Sequence, residues 1–370
     1  MKVTFVNYYY DKDIPIDNYL DKYPTIHGWS RALSELGLKV SVYHRFHQDI
    51  SFNKDGVNYF LIKDKKCFRL KWYQNPTFFH SKISEANHDI IHINSFIYSY
   101  QAGILKKKNP TAKIVIQHHA EKPGHRVKRF LLRNFSSSID GFIFSSQEIY
   151  DEWLKVGAII NGKKFAEIME GSSNFTFRER NEIRIKTGLS GNPVLLWVGR
   201  LNENKDPLTV LSGFSKLLLD FPDARLYMIY SEDQLKQQVS SFIEQNALLK
   251  KSVRLLGFID YKDIDQYYNS ADYFVMGSLY EGSGYSLVEA MSCGVVPIVT
   301  DIPSFRMMTN KGQIGALWKC GDAKSFYNKA KEIIQKPLEV ESKKSLNFFY
   351  DNLSSPAIGE KAKLFYESLI

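Results

Sequence analysis

Glu281 to Gly294 reads EGSGYSLVEAMSCG, and what stands on either side of this stretch decides the fold. The apolar run Tyr273 to Met276 before it is predicted as a buried strand, and Val295 to Thr300 after it as another. Between them Gly282 and Gly284 mark a turn, a helical pattern starts at Ser286, and Gly294 can stop it. A glycine-bearing loop therefore joins a strand to a helix N-terminus. That geometry aims backbone N–H groups and the positive end of the helix dipole at one place, which suits a phosphate. A carboxylate stands on each side, Glu281 before the turn and Glu289 one turn into the helix. A structural reading is equally open from this stretch alone, because Ser286-x-x-Glu289 matches a capping box and Glu281 fits an ordinary loop acid.

Upstream, the same strand–helix alternation repeats. Val194 to Val198 is predicted as a strand ending at Gly199-Arg200, and Asp206-Pro207 supplies an N-cap and first residue for a helix through Leu219. Arg225–Tyr230 and Arg254–Leu256 read as further strands, with helices at 233–249 and 262–270, and later helical patterns at 323–335 and 359–369. In the first half, Lys2–Asn7, Val40–Val42, His88–Ile93, Ala112–Gln117 and Ile139–Ser145 read as strands. Trp29, Ala32, Leu33 and Leu36 place an amphipathic helix between the first two. Residues 51–80 show no clear period. Strands alternating with helices predict a parallel sheet, so the fold class is α/β with two doubly wound, Rossmann-like domains. A polar connector at 171–193 separates them, giving domains at 1–175 and 190–345, with a C-terminal helix in 346–370 expected to pack back on the first.

Ligands of open α/β sheets bind at the carboxyl ends of strands, so residues just past those ends are the candidates. Arg200 and Lys205 follow the first strand of the second half, on the same sheet edge as Glu281. Two cations, a helix N-terminus with its N–H groups and two acids on one edge suit a diphosphate, with Glu289 placed for a bidentate hold on ribose hydroxyls. In the first half His118 and His119 follow a strand, and the pleat favours His119 as the one facing a ligand. His92 reads as a core or strand-end residue. Asp11-x-Asp13 and Asp263-x-Asp265 look like metal-binding pairs but have no neighbouring ligands, and both read as solvated.

Composition narrows the partners. Cys67, Cys293 and Cys320 show no paired spacing, which points away from disulfides or zinc and toward a reducing, cytoplasmic compartment. The apolar run Val3–Val6 is too short for a signal peptide, and no stretch approaches the ~20 apolar residues of a membrane span. Of the net charge of +9, nearly all sits in the first half: residues 1–170 carry 25 Lys and Arg against 17 Asp and Glu, a surplus of +8. The segment 121–135, EKPGHRVKRFLLRNF, sets Val127, Phe130 and Leu131 at helical spacing among Arg126, Lys128, Arg129 and Arg133. Such a helix can lie on an anionic membrane surface, or be an ordinary surface helix with a solvated basic face. No aromatic–basic platform for nucleic acid stands out, and no nucleic-acid partner is expected.

VGRLNENKDPLTVL (198–211) together with EGSGYSLVEAMSCGVVPIVTD (281–301) resembles the retaining glycosyltransferases of family four, which have the GT-B fold of two such domains facing an interdomain cleft. Glu281 and Glu289 match the two acids of that family's E-x7-E signature, and Arg200 and Lys205 its diphosphate-binding pair. Asp89–His92 resembles a first-domain strand motif, and His119 falls where the family's donor-sugar histidine lies. The first loop offers only Gly28 in place of the family's glycine pair. Met169–Ser173 stands where many relatives carry Pro-Asn-Gly-Val-Asp. The resemblance implies transfer of a sugar from a nucleotide-diphosphate donor to a glycan or glycolipid acceptor hydroxyl, with configuration retained and with no metal or other cofactor. Catalytic roles then fall to Glu281, His119, Arg200 and Lys205. Donor-binding roles fall to Glu289, to Gly284, Tyr285, Ser286 and Leu287 through their N–H groups, to Gly257 and Phe258 at the base, and to Gly28. Two other readings of the same scaffold are an epimerase or phosphorylase, and a non-catalytic sugar-nucleotide-binding subunit.

Overall fold

A computed structural model describes residues 1–12 and 14–370; Asp13, half of the first acidic pair, lies outside the described residues. The chain divides into two compact units, Met1–Ser172 with Ser355–Ile370, and Ser173–Ser354.

The first unit is built on eight strands: β1 (Lys2–Asn7), β2 (Lys39–Phe46), β3 (Ile50–Lys54), β4 (Val57–Lys63), β5 (Ile90–Asn94), β6 (Lys113–Gln117), β7 (Gly141–Phe144) and β8 (Lys164–Glu167). Their order is β3-β4-β2-β1-β5-β6-β7-β8, parallel throughout except for the antiparallel hairpin β3–β4. The order reverses between β1 and β5. The hairpin occupies part of the region without a clear period, and its turn, Asp55-Gly56, has positive φ at both residues, the short-range signature that an Asp-Gly pair carries. The C-terminal helix Ser355–Leu369 packs on the helix Pro24–Glu35. Its Tyr366 hydroxyl hydrogen-bonds the buried His92 Nδ1 at 2.6 Å.

The second unit has β9 (Val194–Gly199), β10 (Arg225–Tyr230), β11 (Val253–Gly257), β12 (Tyr273–Met276), β13 (Val296–Thr300) and β14 (Ala316–Trp318). All are parallel, in the order β11-β10-β9-β12-β13-β14. Val194 to Trp197 and Tyr273 to Met276 are buried along their whole length, as expected of central strands covered by helices on both faces. The sheet turns back on itself between β9 and β12, where a doubly wound sheet opens its crevice.

Two expected boundaries change. The stretch 171–193 is not a bare connector, because it holds the helix Arg180–Thr187. Arg180 Nε and Arg184 Nη2 pair with Asp272, which heads β12, at 3.3 and 2.8 Å. The expected single helix 233–249 is two, Lys236–Glu244 and Ala247–Ser252, because Asn246 caps the second by accepting from the Leu248 and Leu249 N–H groups.

Candidate functional site

Two loops at the reversal of the second sheet carry the constellation. After β9 the chain passes Arg200 into a short turn, Glu203–Lys205, where the Asn202 side chain accepts from the Lys205 N–H at 3.2 Å. Asp206 then adopts a left-handed conformation (φ 40°) and caps the next helix by accepting from the Thr209 N–H at 3.3 Å. These two devices turn Lys205 inward, and it is only 9% exposed. After β12 the loop passes so close that a Cβ on Gly277 would lie 2.7 Å from the Asp206 carbonyl oxygen; only glycine fits. The Asn204 side chain donates to the Tyr280 carbonyl at 2.9 Å, and the Leu279 N–H donates to the Asn204 carbonyl at 2.8 Å. The loops are thus bound to each other along their length.

Within that frame Lys205 Nζ is ion-paired to Glu281 Oε1, and the Ser278 hydroxyl donates to the same oxygen at 2.5 Å. Ser304 holds the Glu281 backbone carbonyl. Gly284 sits at φ 55° and begins the helix Tyr285–Ser292, whose N-terminus has no side-chain cap. The Ser286–Glu289 pair is therefore not a capping box. Glu289 instead accepts from the Tyr268 hydroxyl at 2.8 Å, and Tyr261 hydrogen-bonds it as well. Burial pushes its carboxyl up to about 7, and the two phenols offset this only in part.

The other expected residues fall in different settings. The Leu287 N–H already donates to the Gly284 carbonyl at 2.9 Å and its side chain is fully buried, so Leu287 offers no N–H to an anion. Arg200 extends from the end of β9 with a side chain 56% exposed and pairs with Glu232 at 3.6 Å. Gly28 lies inside the helix Pro24–Glu35, its position facing Ser355 Oγ at 4.0 Å; the helix begins before it, so it is not a loop glycine open to a substrate. Asp11 and Asp265 are not simply solvated: Asp11 holds Lys22 at 3.3 Å and Tyr23, while Asp265 is paired with Arg178. Gly257 ends β11 in the left-handed region (φ 74°) with open space around it, and the Phe258 ring beyond it is exposed.

In the first unit His118 is stacked on Phe144 and buried, its Nε2 hydrogen-bonded to the Glu121 carbonyl at 2.8 Å. His119 turns the other way. Its backbone N–H donates to Glu121 Oε2 at 2.6 Å, its Nδ1 is paired with Glu170 Oε1, and its Nε2 is buried without a protein partner. Burial depresses its pKa, but the Glu170 carboxylate more than offsets this and the net direction is upward. His119 borders a small pocket of about 140 Å³ with Asn7, Tyr9, Asn94 and Ser95, at the carboxyl ends of β1 and β5. In the helix Arg126–Ser136, Leu132 is the side chain that enters the core, whereas Val127 and Phe130 are exposed. The expected apolar face is thus shifted by one position.

Tyr268, Tyr261, Ser278 and Glu170 were not singled out in the sequence; Tyr268, Tyr261 and Glu170 act through partners distant in the chain, and Ser278 through Glu281, three residues on. Only Glu170 had a local signal, since it lies in the Met169–Ser173 stretch that departs from the family pattern.

Comparison with known proteins accounts for both units. The profile described as Glycosyltransferase Family 4 matches residues 25–164, and that described as Glycosyl transferases group 1 matches 179–347. A mannosylfructose-phosphate synthase of Agrobacterium fabrum is 32% identical over 33% of this chain and 28% of its own. A UDP-Gal:alpha-D-GlcNAc-diphosphoundecaprenol alpha-1,3-galactosyltransferase of Escherichia coli is 25% identical over 60% of this chain and 57% of its own. The matched stretches thus span between about a quarter and three fifths of these relatives. Among solved structures, a glycosyltransferase from Rickettsia africae superposes with a TM-score of 0.76 at 16% identity, over 100% of this chain and 98% of that one. The Anabaena protein HepE, solved with UDP and glucose, gives 0.70 at 14% identity over the full length of both chains. Both share the GT-B arrangement of two parallel-sheet α/β domains.

Proposed function

Because the chain belongs to the glycosyltransferases of family four, we propose that it moves a sugar from a nucleotide-diphosphate sugar to an acceptor hydroxyl with retention of configuration. The observation that carries this reading is the Lys205–Glu281 pair at the sheet reversal, set beside an uncapped helix N-terminus. As the glycosidic bond breaks, charge grows on the leaving diphosphate. Lys205, Arg200 and the first N–H groups of the helix Tyr285–Ser292 are suited to stabilise that charge where it develops. They take the part a metal ion plays elsewhere, and none is invoked.

Glu281 positions the ammonium of Lys205 and holds donor-sugar hydroxyls. Glu289, oriented by Tyr268, accepts from the ribose. His119, fixed through Nδ1 by Glu170, presents Nε2 to a sugar hydroxyl near the reacting carbon. Phe258, exposed at the end of β11, lies against the base. The acceptor oxygen bonds to the anomeric carbon as the phosphate oxygen leaves, and the acceptor proton passes to that phosphate oxygen. Relatives named for diphosphopolyprenol acceptors and the basic first unit favour an acceptor in surface-polysaccharide or glycolipid assembly, with the protein at the inner face of the membrane. Among the described residues no helix is long and apolar enough to cross it.

The test is thermal. A ligand held only by the folded protein raises the melting temperature, by about 2.7 kcal/mol of stability at a hundred times its Kd. UDP or GDP is expected to raise it. No rise with UDP, GDP or ADP at millimolar concentration would sink the reading.

A further inference from the structure

A second cavity of the first unit, about 500 Å³, is assigned to nothing so far. Trp72, Phe96, Tyr100, Leu131, Phe135 and Trp153 form its walls, with Phe96 and Trp153 packed at 4.6 Å and Tyr100 on Phe135 at 5.2 Å. Its size is that of a small-molecule site, and its lining is mostly apolar. Around it the surface exposes Phe68, Trp72, Val127 and Phe130, a clustering of large apolar side chains that solitary exposed residues would not need. Arg69, Lys128 and His125 also line it. The acid beside them, Glu121, has its two oxygens engaged by the His119 and Phe96 N–H groups at 2.6 and 3.0 Å.

That last contact ties the cavity to the sugar-handling histidine, since one carboxylate both lines the cavity and holds the His119 backbone. A molecule filling the cavity places its polar end near this loop. The lining asks for hydrocarbon and the flanking charge asks for an anion.

We infer that the cavity between Trp72 and the helix Arg126–Ser136 holds the isoprenoid chain of a polyprenyl-diphosphate-linked acceptor, with Arg69 and Lys128 on its diphosphate. The inference rests on the glycosyltransferase reading and names where its acceptor lies. A single chain with a doubly phosphorylated head matches one apolar cavity beside a cationic edge.

Farnesyl diphosphate titrated into the full chain, followed by tryptophan fluorescence of Trp72 and Trp153, tests this. Saturable binding is expected, weaker for farnesol and weaker still for inorganic diphosphate. Leu131→Glu puts a carboxylate into the apolar wall and is expected to weaken farnesyl diphosphate roughly ten- to hundredfold. Lys128→Glu, at an exposed position that leaves folding intact, should weaken farnesyl diphosphate but not farnesol. Both variants should keep the wild-type melting shift with UDP. Unchanged binding of farnesyl diphosphate to Leu131→Glu and Lys128→Glu overturns the assignment. So does tight binding of phosphatidylglycerol vesicles with none of farnesyl diphosphate, which makes the surface a membrane-contact face. A wild-type protein that binds farnesyl diphosphate but shows no UDP shift keeps the cavity and overturns the donor reading alone.

Discussion

Glu289 gives the sharpest test of the donor site, because its proposed role and its cost to the fold have opposite signs. Burial beside Tyr268 and Tyr261 raises its carboxyl to about 7, from an ordinary value of 4.5. A carboxyl whose folded pKa is raised destabilises the folded state in its charged form. That cost is fully present above pH 7, shrinks as pH falls through 7, and is gone below about 4.5. At 1.36 kcal/mol per pH unit, the gap corresponds to roughly 3 kcal/mol. Glu289→Gln keeps the shape and the hydrogen-bonding capacity toward both phenols while removing the charge. At pH 8 it is therefore expected to raise the melting temperature of the unit Ser173–Ser354 by up to roughly 6–12 °C, at about 2–4 °C per kcal/mol for a unit of this size. At pH 5 most of the gain disappears.

Ligand binding is expected to go the other way. If ribose hydroxyls donate to Glu289, the carboxylate form must be present, so wild-type UDP affinity falls about tenfold per pH unit below 7. The terminal phosphate of UDP also titrates near 6, but it does so equally with both proteins. The difference between wild type and Glu289→Gln isolates the side chain. Calorimetric melts at pH 5 and 8, with and without UDP, read all four quantities. A Gln variant that is less stable at pH 8, or that binds UDP as tightly as wild type with the same pH profile, refutes the reasoning.

Other substitutions separate fold from function. Gly284→Ala forces a side chain into the left-handed region and brings its Cβ to 2.8 Å from the Phe305 ring, so a loss of about 1–3 kcal/mol and of the UDP shift is expected in chemical denaturation. Lys205→Met leaves Glu281 charged and largely enclosed, and is expected to cost about 3 kcal/mol or more; adding Glu281→Gln should recover part of that stability but no transfer activity, which a double-mutant cycle would show. Glu170→Gln removes the main influence raising the His119 pKa, so the His119 titration measured by NMR should move to lower pH, with kcat falling and UDP binding unchanged; an unmoved titration would remove Glu170 from its positioning role.

The parallel architecture was legible because its evidence is local and repeated. Runs such as Val194–Val198 and Tyr273–Met276 are apolar without alternation, and each is followed by a glycine or polar turn and then a helical period. What escaped were elements whose stability lies elsewhere. The strand β14 has three residues, held by pairing with β13 rather than by any pattern of its own. The hairpin β3–β4 was recoverable, since Asp55-Gly56 carried its turn. Its β3 strand is mostly exposed, which removes the hydrophobic alternation on which the reading relied.

The site divides along the same physical line. Lys205 and Glu281 could be placed on one sheet edge from topology alone, because strands of one parallel sheet deliver their carboxyl ends to one side. Topology could not rank them against Arg200, which occupies the same edge and yet lies in solvent beside Glu232. The ranking came from Asp206. Its left-handed backbone, the Asn202 cap and the Gly277 close approach turn one cation inward and leave the other outside. None of these three residues carries the proposed chemistry, yet they decide which charge meets Glu281. The partner residues Tyr268 and Glu170 belong to the same class, since a hydrogen bond spanning 21 or 51 residues leaves no mark in a local window. A variant at Gly277 should therefore disturb the Lys205–Glu281 pair as surely as one at Lys205 itself.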